Sequence, residues 1–161
     1  TQAGFIPKGT DHFTLTGAKF FGKSFNNGTA TVTRNYGVGS KPGLTKWLTN
    51  VKVKFSSLLS KDGRFRVWPT KAPGTASYQI HFNTNTSGWL TISVKIKYVV
   101  QQWYKKHGKW GWYNVYQYPQ QLTLNTVSRV NWKVQGGILV YQNQFLLRNG
   151  KNQVNCSPKS I

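Results

Sequence analysis

The chain has 161 residues, of which 22 are Lys or Arg and only two, Asp11 and Asp62, are acidic, so its formal charge is +20. A glycosidase needs two catalytic carboxylates and a calcium site needs several carboxylate oxygens, but this chain has only two acidic side chains, and Asp62 is already explained by a turn. One Cys and three His are too few for the usual structural zinc sites. We therefore expect no metal and no cofactor. No apolar run approaches the ~20 residues that a transmembrane helix needs.

Taken in chain order, segments 51–55, 64–68, 78–82 and 92–98 alternate apolar and polar residues with a period of two. That period is typical of β-strands with one face in the core and one in water. Segment 44–59 comes closest to a helical pattern, but Val51, Val53 and Phe55 favour a strand over its second half. No segment predicts a helix.

Turn signals separate these runs, because Gly adopts positive φ freely and Asn or Asp tolerates it. They are Asn27-Gly28, Asp62-Gly63, His107-Gly108, Gly136-Gly137 and Asn149-Gly150. The pattern predicts an all-β fold, an antiparallel two-sheet β-sandwich or jelly roll of about nine strands joined mainly by hairpins. We expect one domain over 1–161, with 1–9 and 152–161 as irregular tails.

The densest candidate ligand site is the predicted hairpin at 103–118, which is rich in Trp, Tyr and Lys. Aromatic faces beside lysine can stack on sugars or bases while the charge holds phosphate. The candidate residues are Trp103, Tyr104, Lys105, Lys106, Lys109, Trp110, Trp112 and Tyr113. Alternation places Trp110 and Trp112 on one side and Tyr113 on the other. In the competing interpretation, one aromatic set fills the core and the other covers a sheet edge or an oligomer contact.

A second cationic surface follows from the outward positions of three predicted strands. These positions are Lys52, Lys54, Arg64, Arg66, Lys95 and Lys97. If the strands are neighbours, the six charges form a stripe. The alternative is that they are solvated positions that discourage association between sheet edges.

Catalytic chemistry has few candidates. A metal-free ribonuclease would need His12, His81 or His107 near a lysine, with His moving the proton and Lys stabilising the phosphorane. No sequence feature brings two of these histidines together. Cys156 lies near the C-terminus rather than at the head of a helix, so we expect an unreactive thiol, with intermolecular pairing left open.

The leading functional hypothesis is a non-enzymatic, secreted or cell-envelope protein that attaches to an anionic polymer such as a teichoic-acid-like wall polymer. It rests on dispersed lysine, on 24 amide side chains where acids are usual, and on the absence of Met, which suggests a processed product or a fragment. The alternative is a self-assembling coat or filament subunit of a virion that contacts nucleic acid. A ribonuclease toxin is the third hypothesis. Self-association stays open in each.

Overall fold

The computed structural model describes residues 4–70 and 74–159, and every regular element in them is a β-strand. This follows from the period-two alternation, which suits a pleated strand with one buried face. The strands are β1 Gly4–Ile6, β2 Gly9–Phe20, β3 Lys23–Ser24, β4 Gly28–Arg34, β5 Val38–Ser40, β6 Thr45–Phe55, β7 Leu58–Leu59, β8 Phe65–Pro69, β9 Gly74–Phe82, β10 Ser87–Lys106, β11 Lys109–Asn114, β12 Gln121–Thr126, β13 Val130–Gln135, β14 Ile138–Tyr141, β15 Phe145–Asn149 and β16 Asn152–Pro158.

Eight of these strands pair in a closed antiparallel ring, in the order β2, β4, β6, β9, β10, β12, β15 and β16, with β16 returning to β2. Ring order follows chain order, although strands outside the ring come between β4 and β6, between β6 and β9, and between β12 and β15. The predicted antiparallel all-β class is confirmed, and a sandwich-like packing is compatible with it. Neither the jelly-roll order nor the count of about nine strands is confirmed.

Two irregularities bend the long strands of the ring. In β2 the register opposite β16 shifts around Gly17, which has a φ of 57°. In β6 the register opposite β9 shifts between Leu48 and Val51, where Asn50 also has a φ of 57°. Bulges of this kind increase local twist and curvature, so they help the sheet to close on itself.

The described part of the ring interior is largely apolar, and a buried polar cluster lies near the start of β2. Arg34 Nε and Nη2 donate hydrogen bonds of 2.9 and 3.0 Å to the two carboxylate oxygens of Asp11. The Tyr141 hydroxyl donates to Asp11 Oδ2 at 2.9 Å, and it lies 3.1 Å from the Tyr78 hydroxyl. Burial by itself lowers the pKa of Arg34, but its hydrogen bond and attraction to Asp11 raise it overall. The guanidinium therefore stays charged inside the ring.

Strand β10 is the longest element and extends beyond the ring. Its first part, from Gly88 to Lys95, pairs with β9, and its residues 93–97 pair with β12. Its second part, from Tyr98 onward, lies between β8 and β11. One strand therefore connects the ring to a small outer sheet.

The predicted irregular tails are wrong for most of their length. Gly4–Ile6 forms β1 and pairs with β5, and Asn152–Pro158 is the ring strand β16. In β16 only Val154 and Cys156 follow the apolar–polar alternation. A pattern of two apolar residues is too short to distinguish a strand from an irregular tail. Residues 1–3 and 160–161 lie outside the described residues.

The Asn27-Gly28 turn was also misplaced. The tight turn lies earlier, at Phe21 and Gly22, whose φ values are 54° and 75°. Gly28 lies inside β4 opposite Leu15, and a Cβ there would collide with the Leu58 side chain. Glycine is needed at this position for close packing rather than for positive φ.

Candidate functional site

The outer sheet of β8, β10 and β11 brings together residues that are far apart in the sequence. Gln101 on β10 lies opposite Arg66 on β8 and opposite Asn114 on β11, while Trp103 lies opposite Trp112. Residues in register, and those two apart on a strand, share one face of a sheet. We call this surface the tryptophan face. It consists of Arg66, Trp68, Gln101, Trp103, Lys105, Trp110, Trp112 and Asn114.

Arg66 lies at the centre of the tryptophan face. Its guanidinium carbon is 4.3 Å from the ring centre of Trp68 and 4.6 Å from that of Trp112. Arg66 Nε donates a 2.6 Å hydrogen bond to Gln101 Oε1, and Gln101 Nε2 in turn donates one of 2.9 Å to Asn114 Oδ1. The terminal NH₂ groups of Arg66 make no hydrogen bond to any described residue. Partial burial lowers the pKa of Arg66, but a guanidinium remains protonated at neutral pH.

The indoles of the tryptophan face form a continuous aromatic surface. Trp103 stacks on Trp110 with ring centres 6.4 Å apart and an interplanar angle of 18°, and it meets Trp112 edge to face at 5.5 Å. Trp68, Trp103 and Trp110 are 43, 44 and 61% exposed. Of the aromatic residues in 103–118, only the half-buried Tyr118 packs against the core and none is part of it, so the interpretation that one aromatic set fills the core is wrong. The other part of that interpretation, in which an aromatic set covers a sheet edge or an oligomer contact, stays a prediction.

The structure divides the eight predicted hairpin residues between two faces. Trp103, Lys105, Trp110 and Trp112 lie on the tryptophan face. Tyr104, Lys106, Lys109 and Tyr113 lie on the opposite face, where Tyr104 and Tyr113 pack at 4.8 Å. The Lys106 ammonium is 5.4 Å from the Tyr113 ring. The hairpin therefore presents two separate surfaces rather than the single predicted site.

The predicted basic strand positions are only partly brought together. Lys52 and Lys95 both pair with Thr75, so one strand separates them, which corresponds to about 10 Å. Lys54 lies opposite Thr31, and Lys97 lies opposite Gln121. Along β10, Lys95, Lys97, Gln101, Trp103 and Lys105 occupy alternate positions on one side. Arg66 contacts this side through Gln101, and Arg64 lies two residues before it.

Two groups of residues were not predicted from the sequence. Trp68, Gln101 and Asn114 belong to the tryptophan face, and Trp68 could have been found because it lies two residues after Arg66 in the same alternating strand. A second cluster lies near the start of β10, where Trp89 stacks on His81 at 4.9 Å and on the Arg129 guanidinium at 3.9 Å. No local pattern joins these three residues, because only strand pairing and a loop bring them together.

Both carboxylates of the chain are already engaged. Asp11 is buried against Arg34, and Asp62 accepts hydrogen bonds from Ser60 Oγ at 2.6 Å and from Arg64 N at 3.0 Å. The bond from Ser60, followed by the one from the Arg64 backbone, lowers the pKa of Asp62. Asp62 is therefore the sole carboxylate side chain on the surface, and the positive charge there is almost uncompensated.

The described histidines and cysteine show no catalytic arrangement. His12 lies on β2, His81 on β9 and His107 at the β10–β11 turn, and no two of them make a hydrogen bond or a ring contact with each other. Cys156 is buried, and burial raises the pKa of its thiol to about 12. Across residues 4–70 and 74–159, no three His, Cys, Asp or Glu side chains group as a metal site would require.

The part of the chain that the structure describes has no helix with the length and hydropathy needed to cross a membrane. No family model, curated protein or solved structure matches the chain.

Proposed function

We propose that this protein is a non-enzymatic binding domain of the cell envelope that attaches to an anionic polymer through the tryptophan face. The observation that carries the proposal is Arg66, which lies against two indoles and whose terminal NH₂ groups have no partner among the described residues, on a face that includes no Asp or Glu side chain. The proposed ligand is a repeating phosphate polymer of the teichoic-acid type, outside the cell.

The local geometry of Arg66 suits a phosphate group. A guanidinium binds phosphate in a bidentate manner through its planar fork, and a fork already oriented by Gln101 and two indoles loses little side-chain entropy on binding. Trp103 and Trp110 lie beside it with large exposed ring areas. An aromatic surface next to a cation can hold the sugar or polyol part of a repeat while the cation holds its phosphate.

The lysines extend this surface toward the ring. Lys95 and Lys97 lie on the same side of β10 as Trp103, and Lys52 is one strand away from Lys95. A linear polyanion lying along β10 would contact these charges in turn and release a condensed counterion at each phosphate. Because the polar side chains of the tryptophan face are amides and cations and include no carboxylate or imidazole to act as a general base, binding is favoured over acid–base catalysis.

The test is calorimetric titration of the protein with purified teichoic acid, with an uncharged glycan, and with single-stranded RNA, over a series of salt concentrations. We expect teichoic acid to bind and the affinity to fall steeply as salt rises. The uncharged glycan should bind at least tenfold more weakly. Binding that persists unchanged at about 1 M salt, or no binding at low salt, would contradict the proposal.

Two arginine substitutions give a charge-matched comparison. Arg66→Gln and Arg148→Gln each remove one guanidinium, but Arg148 lies exposed on β15, across β12 from Ser93 of β10, and so it is distant from the tryptophan face, which begins at Gln101 on that strand. We expect about a tenfold loss of affinity for Arg66→Gln, since charge-assisted hydrogen bonds contribute about 1.5 kcal/mol or more, and a smaller loss for Arg148→Gln. Equal losses would indicate diffuse attraction without a site. Tighter binding of RNA than of teichoic acid would favour the coat-subunit alternative.

A further inference from the structure

The ring of eight strands encloses an apolar chamber. It leaves about 60 Å³ in which the centre of a water molecule could move. A cavity needs roughly 10–15 Å³ of such space to hold one water, so the chamber has room for about four to six waters. Since each water takes up roughly 30 Å³ of liquid, that room is comparable to an apolar cavity of about 150 Å³, which binds benzene. Residues that line the chamber include Ala76, Ile92, Val94, Leu122, Leu147 and Cys156.

One residue that lines this chamber carries a buried polar atom without a partner. Tyr98 lines the chamber and is 2% exposed, yet its hydroxyl makes no hydrogen bond within the described residues. The other tyrosine of the lining, Tyr78, is paired with Tyr141. A buried hydroxyl without a partner is destabilising, so such a group is unusual in a native interior and calls for an explanation.

The end of the chamber next to Tyr98 is covered by aromatic rings. Phe21 lies 6.0 Å from Tyr98 and 4.9 Å from the half-buried Tyr118. Phe21 has a φ of 54°, which is unfavourable for a residue with a Cβ, and its N–H donates to Asn152 Oδ1 at 3.0 Å. Backbone strain that persists because the surroundings hold it is often found at ligand clamps. The Asp11 and Arg34 pair lies near the start of β2, whereas Phe21 follows the end of that strand.

We propose that the chamber binds a small apolar molecule, about the size of one benzene ring, with a single hydrogen-bonding group placed at the Tyr98 hydroxyl. An apolar cavity of this size stays dry, so its lining lacks contacts that a ligand would supply. The hydroxyl selects a molecule with one polar group over a hydrocarbon, because only the former gives it a partner. Phe21 and Tyr118 cover the bound molecule. This site is independent of the tryptophan face.

The test uses two probes of nearly equal size, 4-fluorophenol and fluorobenzene, observed by fluorine NMR with the intact protein. We expect saturable binding of both, with 4-fluorophenol favoured by about threefold to tenfold, as one net hydrogen bond implies. Tyr98→Phe should reduce this ratio to about one and leave the affinity for fluorobenzene unchanged. Tyr36→Phe is the matched control, since Tyr36 is 54% exposed and is not part of the lining, and this variant should keep the preference for 4-fluorophenol.

The position of the probe is established in the wild-type protein by methyl NMR. Methyl signals of Ile92, Val94 and Leu122 should shift on titration, whereas those of the exposed Val127 and Ile138 should not. Ala76→Leu adds bulk inside the chamber and should abolish binding of both probes. If that variant does not fold, the methyl shifts still decide the matter.

Three results would overturn the proposal. One is the absence of saturable binding by either probe to the wild-type protein. Another is a shift of the indole N–H signals of the tryptophan face without a shift of the chamber methyl signals, which would mean that the probes bind outside the chamber. The third is an undiminished preference for 4-fluorophenol in Tyr98→Phe.

Discussion

The guanidinium of Arg66 lies 4.6 Å from the ring centre of Trp112, although β10 separates the strands that carry them. The contact is diagonal, because Arg66 is in register with Asn114 and Trp112 is two residues earlier on β11. It joins the cationic strand β8 to the aromatic hairpin. The tryptophan face is therefore one surface rather than two adjacent ones.

Replacing Trp112 by Leu should weaken polymer binding more than it weakens the fold. The substitution removes the cation–π contact with Arg66 and the edge contact with Trp103, which together position the face. A partly exposed cation–π contact contributes about 0.5–1 kcal/mol to stability. We expect a severalfold loss of teichoic acid affinity, measured by calorimetry, and a loss of about 1 kcal/mol in guanidinium unfolding. Trp47→Leu is the control, since Trp47 is 64% exposed on β6. The affinity of this variant for teichoic acid should equal that of the wild-type protein.

Substitutions in the buried polar cluster should be strongly destabilising. Tyr141→Phe removes one hydrogen bond to the Asp11 carboxylate, and we expect a loss of about 1.5–3 kcal/mol in urea unfolding. Asp11→Asn leaves the buried Arg34 charge unpaired, for which about 3–5 kcal/mol is expected. An Asp11→Asn loss no larger than that of Tyr141→Phe would show that water or another group compensates Arg34.

The turn carboxylate Asp62 should make a contribution to stability that disappears in acid. Hydrogen bonds from Ser60 and Arg64 lower its pKa in the folded state, so its contribution is present above the unfolded value of about 4 and is lost as pH falls through the folded value. Wild type and Asp62→Asn should differ in melting temperature near pH 6, and the difference should shrink below about pH 4. A difference that stays constant with pH would assign the effect to turn geometry alone.

The thiol of Cys156 should be unreactive until the protein unfolds. Burial raises its pKa to about 12, so iodoacetamide should modify it slowly at pH 8 and rapidly in denaturant. The unfolded thiol loses its proton near pH 8.5, so stability relative to Cys156→Val should fall as pH rises from about 8.5 toward 12. Rapid modification of the folded protein at pH 8 would contradict the buried position.

The alternating segments predicted much of the fold because local pattern and final burial agree there. Val51 and Val53 point into the ring from β6, and Ile92 and Val94 point into it from β10. The turn at His107 and Gly108 was also predicted correctly, since Gly108 adopts its φ of 79° freely and His107 tolerates its φ of 50°. Strand β16 was missed because its pairing with β2 is a long-range contact that its own residues do not encode.

The hairpin at 103–118 could be recognised as aromatic and basic from the sequence, but its outer surface could not be defined. Alternation correctly separated Trp112 from Tyr113. It could not show that Arg66 would contact Trp112, because the neighbour of a strand depends on the folding of the whole chain. The chamber and the unpaired Tyr98 hydroxyl were equally beyond sequence reasoning.

The sequence by itself determined the strand class, the positions of most turns and the near absence of acids, because each is a local or compositional property. Two carboxylates in 161 residues leave the surface cations without partners in any fold. Tertiary structure decided which cations lie together, which aromatic side chains stay exposed and that the strands close into a ring. These depend on register and on bulges such as those at Gly17 and Asn50, where a shift of one residue would turn side chains to the other face.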